Sequence, residues 1–352
     1  MQQLTSNLIL LLSSVLLVAA PAGAFCPVVI CPGFGNDSID YDTPLEQPAE
    51  VGLKSVLARR GFDPSQIYTV PVKRSDWIRV AGGLLDFPDF YLGKAKPTGN
   101  GYGWYLKRLK ETVDLAYEQQ EGDSKQKVLV IGHSAGGWLA RAAMGDGEWS
   151  KDEEDKVAVR TSDRVRCLVT MGGVHKVPED ESTCVTRGAL KYTDENYPGA
   201  FLKDEGIGYV SVGGAAIVGD ESKDAEKASQ PSDLQGSEAD DYYKVRGEGN
   251  SNRVAFTSYK AVAGDGNLIG DGVVPLEWTQ LEGSRQLELP DVLHSINEAG
   301  TTFPTDRWYG SEKIIDQWLP TVMEEANLKK ASPPGSNPLD GLQQWASNFI
   351  KV

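Results

Sequence analysis

Residues 127–144 read KVLVIGHSAGGWLARAAM, an apolar run, a small-residue turn and a helix-like run, with Ser134 at the turn. A serine hydroxyl is a weak nucleophile near neutral pH and attacks a carbonyl only beside a base. Gly132 and Gly136, two residues before and two after, let a strand and a helix meet closely around it. The helix would aim its positive end at charge developing on a substrate. The chemistry to look for is acyl transfer.

The base has to come from three histidines. His133 lies inside the turn, and its side chain is expected to point away from Ser134. His175, in TMGGVHKVP, comes early, and a structural role is preferred for it. His294, in LPDVLHS, follows the last strand-like run and is the expected base, because the order along the chain for such a turn is Ser, acid, His. An acid must then fix the imidazole tautomer. GDGNLIGDGVVP supplies Asp271, flanked by glycines, with Asp265 as the alternative. Asp291, three residues from His294, reads as a turn cap. Two backbone N–H groups are needed for the oxyanion. Ala135, after the serine, offers one. Phe34, in VVICPGFGND, offers the other, with Gly33 and Gly35 turning the chain inward.

These residues need a scaffold. Apolar runs at 27–31, 67–72, 127–132, 166–172, 207–214 and 285–290 are mostly continuous, as in strands covered on both faces. Helical patterns fall at 49–61, 104–122, 134–147 and 311–326. The alternation predicts an α/β domain over 25–326 with a mostly parallel sheet and helices on both faces. Acidic insertions near 145–156 and 220–252 read as loops. The end, 327–352, reads as a Pro/Gly/Ser linker and a short amphipathic segment. There Leu339, Leu342, Trp345 and Phe349 would share a face, for docking on the domain or for a peripheral membrane or partner contact. Aromatic residues in LLDFPDFYLG and GYGWYL either line an acyl pocket or anchor a long loop.

The N-terminus carries an apolar stretch, Leu8 to Ala20, too short for a typical span of about 20 residues. With small residues before Phe25 it reads as a signal peptide over 1–24, although no Lys or Arg precedes it. The sequence AGAFCP is also similar to the cleavage signature of bipartite plastid presequences in algae with complex plastids. Secretory-pathway entry is therefore expected, ending in secretion, the endomembranes or such a plastid. A net charge of −15 argues against nucleic acid as a partner and against simple electrostatic docking on anionic lipid. No spacing resembles a metal site. The chemistry calls for no cofactor and no metal. No disulfide is assigned to the four cysteines.

With GHSAGGWLAR and GDGVVP in place, the chain resembles the lipase-like α/β-hydrolases of plants and algae. PGFGN, SDWIRVAGGLLD, GWYLKRL, YKAVAGDGNLIGDGVVP and RWYGS carry the same resemblance, over roughly 27–320. It implies an α/β-hydrolase fold with an eight-stranded sheet, a Ser–Asp–His triad and ester hydrolysis. Plant members are often plastid proteins. One departure is GGVH where lipases often show GTPH. The expected substrate is a small-molecule or lipid ester with a hydrophobic acyl group. The alternatives are an acyltransferase with the same triad and a non-catalytic binding protein on the same fold.

Overall fold

The computed structural model describes residues 25–121, 125–145, 160–222, 252–297 and 304–328. Residues 1–24, read above as a signal peptide, most of the two acidic insertions and most of 327–352 lie outside the described residues. The compact unit spans Phe25–Lys329.

Six strands form one parallel sheet in the order β2-β1-β3-β4-β5-β8. They are β1 (Val28–Cys31), β2 (Ile67–Thr69), β3 (Val128–His133), β4 (Val165–Met171), β5 (Gly208–Ala215) and β8 (Arg285–Pro290). Every residue of β1 and β3 is buried, because each face carries its own core. Val28, Ile30, Leu129 and Ile131 face α1 (Leu53–Arg59) and the last helix, Glu312–Glu325. Val29, Cys31, Val128 and Val130 face α2 (Gly103–Glu118) and α3 (Ala135–Ala143). Continuous apolar strands in a sheet sandwiched by helices are what a parallel α/β core requires. With the serine turn at the end of β3, this is the α/β-hydrolase arrangement.

Several expectations need correction. The implied eight-stranded sheet is not formed by the described residues. Instead β6 (Ile217–Val218) and β7 (Ile269–Gly270) make a separate antiparallel pair. At the β2 edge the segment after Thr69 cannot recruit another strand. Pro71 has no N–H, and Ser38 occupies the remaining groups, its hydroxyl donating to Val70 O and accepting from Val72 N. The predicted strand 67–72 therefore stops at Thr69. The predicted helix 49–61 begins at Leu53, because Gly52 passes so close to Asp42 that a Cβ would lie 2.0 Å from its carbonyl oxygen. Helices at Ala189–Asn196 and at 252–263 had no clear sequence signal.

All four cysteines are buried free thiols. Asp220 N–H donates to Asn252 O, and Asn252 Nδ2 donates to Val218 O, so the chain closes at the root of residues 223–251. Among the described residues no helix is long and apolar enough to cross a membrane.

Candidate active site

Ser134 stands at the junction of β3 and α3 with φ 52° and ψ −125°. A positive φ is costly for a residue with a Cβ, roughly 1–3 kcal/mol, and is kept where the surroundings enforce it. Here they do. Ser134 N–H donates to Met171 O at the end of β4, and Gly137 N–H donates to Ser134 O. A Cβ on Gly136 would lie 2.2 Å from Cys31 O, and one on Gly132 would lie 2.6 Å from Gly137 Cα. Both glycines let β1, β3 and α3 converge under the serine. Ser134 is half-buried, and among the described residues no hydrogen bond reaches its hydroxyl.

Asp271 and His294 come together directly. His294 Nδ1 lies 2.7 Å from Asp271 Oδ2, and His294 N–H donates to Asp271 O. Asp271 is 1% exposed. Its Oδ1 accepts from Val273 and Val274 N–H, and its Oδ2 also accepts the Tyr309 hydroxyl at 2.8 Å. Every one of these groups donates to the carboxylate. With Oδ2 as acceptor, the proton of the imidazole sits on Nδ1 and Nε2 is left for the serine side. Tyr309 is fixed in turn by Gly214 N–H, and burial and the Asp271 charge push its phenol well above the usual range.

Gly172, with φ +57°, connects this pair to the serine. It follows the Met171 carbonyl that holds Ser134, and a Cβ on it would lie 2.8 Å from both Asp271 Oδ2 and His294 Nδ1. Neither Gly172 nor Tyr309 was assigned a role from sequence. For Tyr309 the only signal was the RWYGS stretch; for Gly172 it was GGVH.

The donor loop presses on the serine from the other side. A Cβ on Gly33 would lie 2.7 Å from Ser134 Cβ. The N–H groups of Phe34 and of Ala135, the first residue of α3, have no partner among the described residues. The Phe34 ring is 61% exposed and tilts against Trp77, 5.2 Å between centroids.

The alternatives lie elsewhere. Asp265 is an exposed turn cap for Asn267 N–H. Asp291 pairs with Arg307 at the surface. His175 is buried on the α3 side, 2.9 Å from Thr170 Oγ1, and burial, then the Arg141 charge, push its pKa well down. The His133 ring lies against Tyr41 and 5.0 Å from the His294 ring, centroid to centroid. The aromatic cluster divides: Tyr102 and Tyr105 are core residues beside Trp138, while Phe87, Tyr91 and Leu92 are exposed. Among the described residues no group of three His, Cys, Asp or Glu side chains could hold a metal ion. A surface cleft of about 680 Å³, lined by Asp37, Ile39, Val72, Lys73 and Arg108, contains none of the chemistry-bearing side chains.

No protein-family model and no curated protein matches the sequence. Among solved structures, a PytH variant is 15% identical over 44% of this chain and 42% of its own, with a TM-score of 0.23. The chain thus spans less than half the length of that protein. A dienelactone hydrolase from Anabaena variabilis is 14% identical over 86% of this chain and 88% of its own, with a TM-score of 0.33. At these scores neither likeness adds to the architecture described above.

Proposed function

We propose that this chain is a serine hydrolase that cleaves carboxylic esters with apolar acyl groups. One observation carries the reading: a strained, half-buried Ser134 whose backbone is tied through Met171 and Gly172 to a buried Asp271–His294 pair. In this mechanism His294 Nε2 takes the Ser134 proton as Oγ attacks the ester carbonyl. The oxyanion is met by the N–H groups of Phe34 and Ala135, and charge developing there is what such donors stabilise most. His294 then gives the proton to the leaving alkoxide. Water, deprotonated by the same nitrogen, releases the acid from the acyl-enzyme. Asp271 stays ionised and holds the imidazole throughout.

The apolar acyl preference rests on the rim beside the donor loop. Ile78, Leu85 and Phe87 are 77%, 79% and 74% exposed, on the segment that begins beside Trp77, against which the Phe34 ring tilts. The resemblance carried by GHSAGGWLAR and GDGVVP adds the lipase-like plant and algal group to the proposal, and the apolar leader adds entry into the secretory pathway.

Labelling by a fluorophosphonate, with p-nitrophenyl esters of rising chain length beside it, tests the reading. Wild type should label and cleave; Ser134→Ala and His294→Ala should do neither, with rates down at least ~10⁴-fold. A folded wild type that neither labels nor cleaves, with lipid present, sinks it. Product formed on an added alcohol in preference to water would turn the enzyme into an acyltransferase.

A further inference from the structure

His133 precedes the nucleophile, is buried, and plays no part in the proton transfers above. Its hydrogen bonds set its tautomer. Nε2 lies 2.9 Å from the backbone carbonyl of His294, which only accepts, so Nε2 carries the proton. Burial pushes the His133 pKa down to about 3. The ring is therefore neutral and Nδ1 is bare. Tyr41 donates its hydroxyl to Nδ1 at 2.9 Å, and Asn36 Nδ2 lies 3.3 Å from the same nitrogen as a second donor. The phenol keeps its proton, since burial raises its pKa. The Tyr41 oxygen accepts Gly33 N–H at 3.1 Å and Asn36 Nδ2 at 3.0 Å. Asn36 is held again where its carbonyl accepts Trp77 Nε1.

The direction of each bond matters. Gly33 and Asn36 bracket Phe34, the oxyanion donor proposed above. His294 O belongs to the base itself. One imidazole, on the residue peptide-linked to Ser134, thus reaches the donor loop on one side and the base loop on the other. We propose that His133 and Tyr41 are positioning residues: a neutral relay, Asn36 and Gly33 to Tyr41 to His133 to His294 O, that sets the distance between the oxyanion donor and the base. The catalytic consequence rests on the esterase reading; the relay itself does not.

Two measurements separate these levels. With only three histidines, ¹⁵N-histidine labelling resolves each ring. His133 should be the neutral Nε2–H tautomer at pH 7, and Tyr41→Phe should move the Nδ1 resonance toward that of an unbonded nitrogen, further when Asn36→Ala removes the second donor. A His133 protonated on Nδ1, or an Nδ1 resonance indifferent to Tyr41→Phe, overturns the relay. Kinetics then reads its consequence on a p-nitrophenyl ester and its thiono analogue, whose sulfur is poorly served by donors placed for oxygen. Tyr41→Phe should lower kcat on the oxygen ester by roughly 10–100-fold, with KM within about twofold, and shrink the oxygen-to-sulfur rate ratio. Asn36→Ala, at a half-buried position, should shrink the same ratio less and covers the case in which Tyr41→Phe does not fold. An unchanged ratio in folded variants overturns the positioning role. A wild type that cleaves no ester overturns the esterase reading alone, and the imidazole spectrum still decides the relay.

Discussion

The two sides of Ser134 are built in opposite ways. On one side Asp271, His294 and Tyr309 are buried and share a closed set of hydrogen bonds. On the other side, from Arg74 to Leu92, short 3-10 turns leave Ile78, Leu84, Leu85, Phe87, Tyr91 and Leu92 in solvent. Groups proposed to move protons need one geometry and a dry setting, which the core provides. The groups that would meet an acyl chain need only apolar area, and area can be offered at the surface.

Acidification strains the packed side most. His133 and His175 are both held neutral by burial. The unfolded chain binds protons on both histidines below about pH 6.5 and the folded chain does not, so stability is complete above that pH and falls as pH drops toward about 3 for His133. The expected loss approaches about 1.4 kcal/mol per pH unit for each histidine. Urea midpoints at pH 7.5 and 5 measure it, and equal midpoints would remove this account of the core. Next comes Gly172→Ala. Its Cβ meets the Asp271–His294 pair and its φ is positive, so about 2–3 kcal/mol of stability and most of the activity should go. A fully active variant would mean that the pair is not confined there. Tyr309→Phe should cost about tenfold in kcat, near 1.4 kcal/mol, by taking one donor from Asp271 and leaving Gly214 N–H unpaired. The smallest effect belongs to the rim. Leu85→Ser with Phe87→Ser should leave the melting temperature within about 2 °C, by analogy with other surface changes. KM should rise a few-fold for long-chain esters and stay level for short ones. A uniform change across chain lengths would deny the rim its part in the comparison.

The same division governs what the sequence made legible. β1, β3 and the serine turn could be read because their signals are local: unbroken apolar runs, then glycines at fixed spacing. Asp271 and His294 were nameable because only three histidines compete and because glycines flank the acid. β6 and β7 were not readable, since two-residue strands have no periodicity and exist only because Ile217 and Val218 find Ile269 and Gly270. Tyr309 and Tyr41 were hidden for a related reason. Their roles are set by partners 38 and 92 residues away, and an isolated tyrosine carries no mark of such a partner. The aromatic cluster was ambiguous because composition does not separate Tyr102, in the core, from Phe87, in solvent.

The closure at Asp220 and Asn252 has a consequence for how this chain can change. The backbone leaves and returns through neighbouring hydrogen bonds, Asp220 N–H to Asn252 O and Asn252 Nδ2 to Val218 O, so the two ends are pinned to each other. Lengthening a segment between pinned ends costs little, about 0.6 kcal/mol per doubling. That root is a splice point, where a lineage or an engineer could change the length of the chain between two fixed anchors.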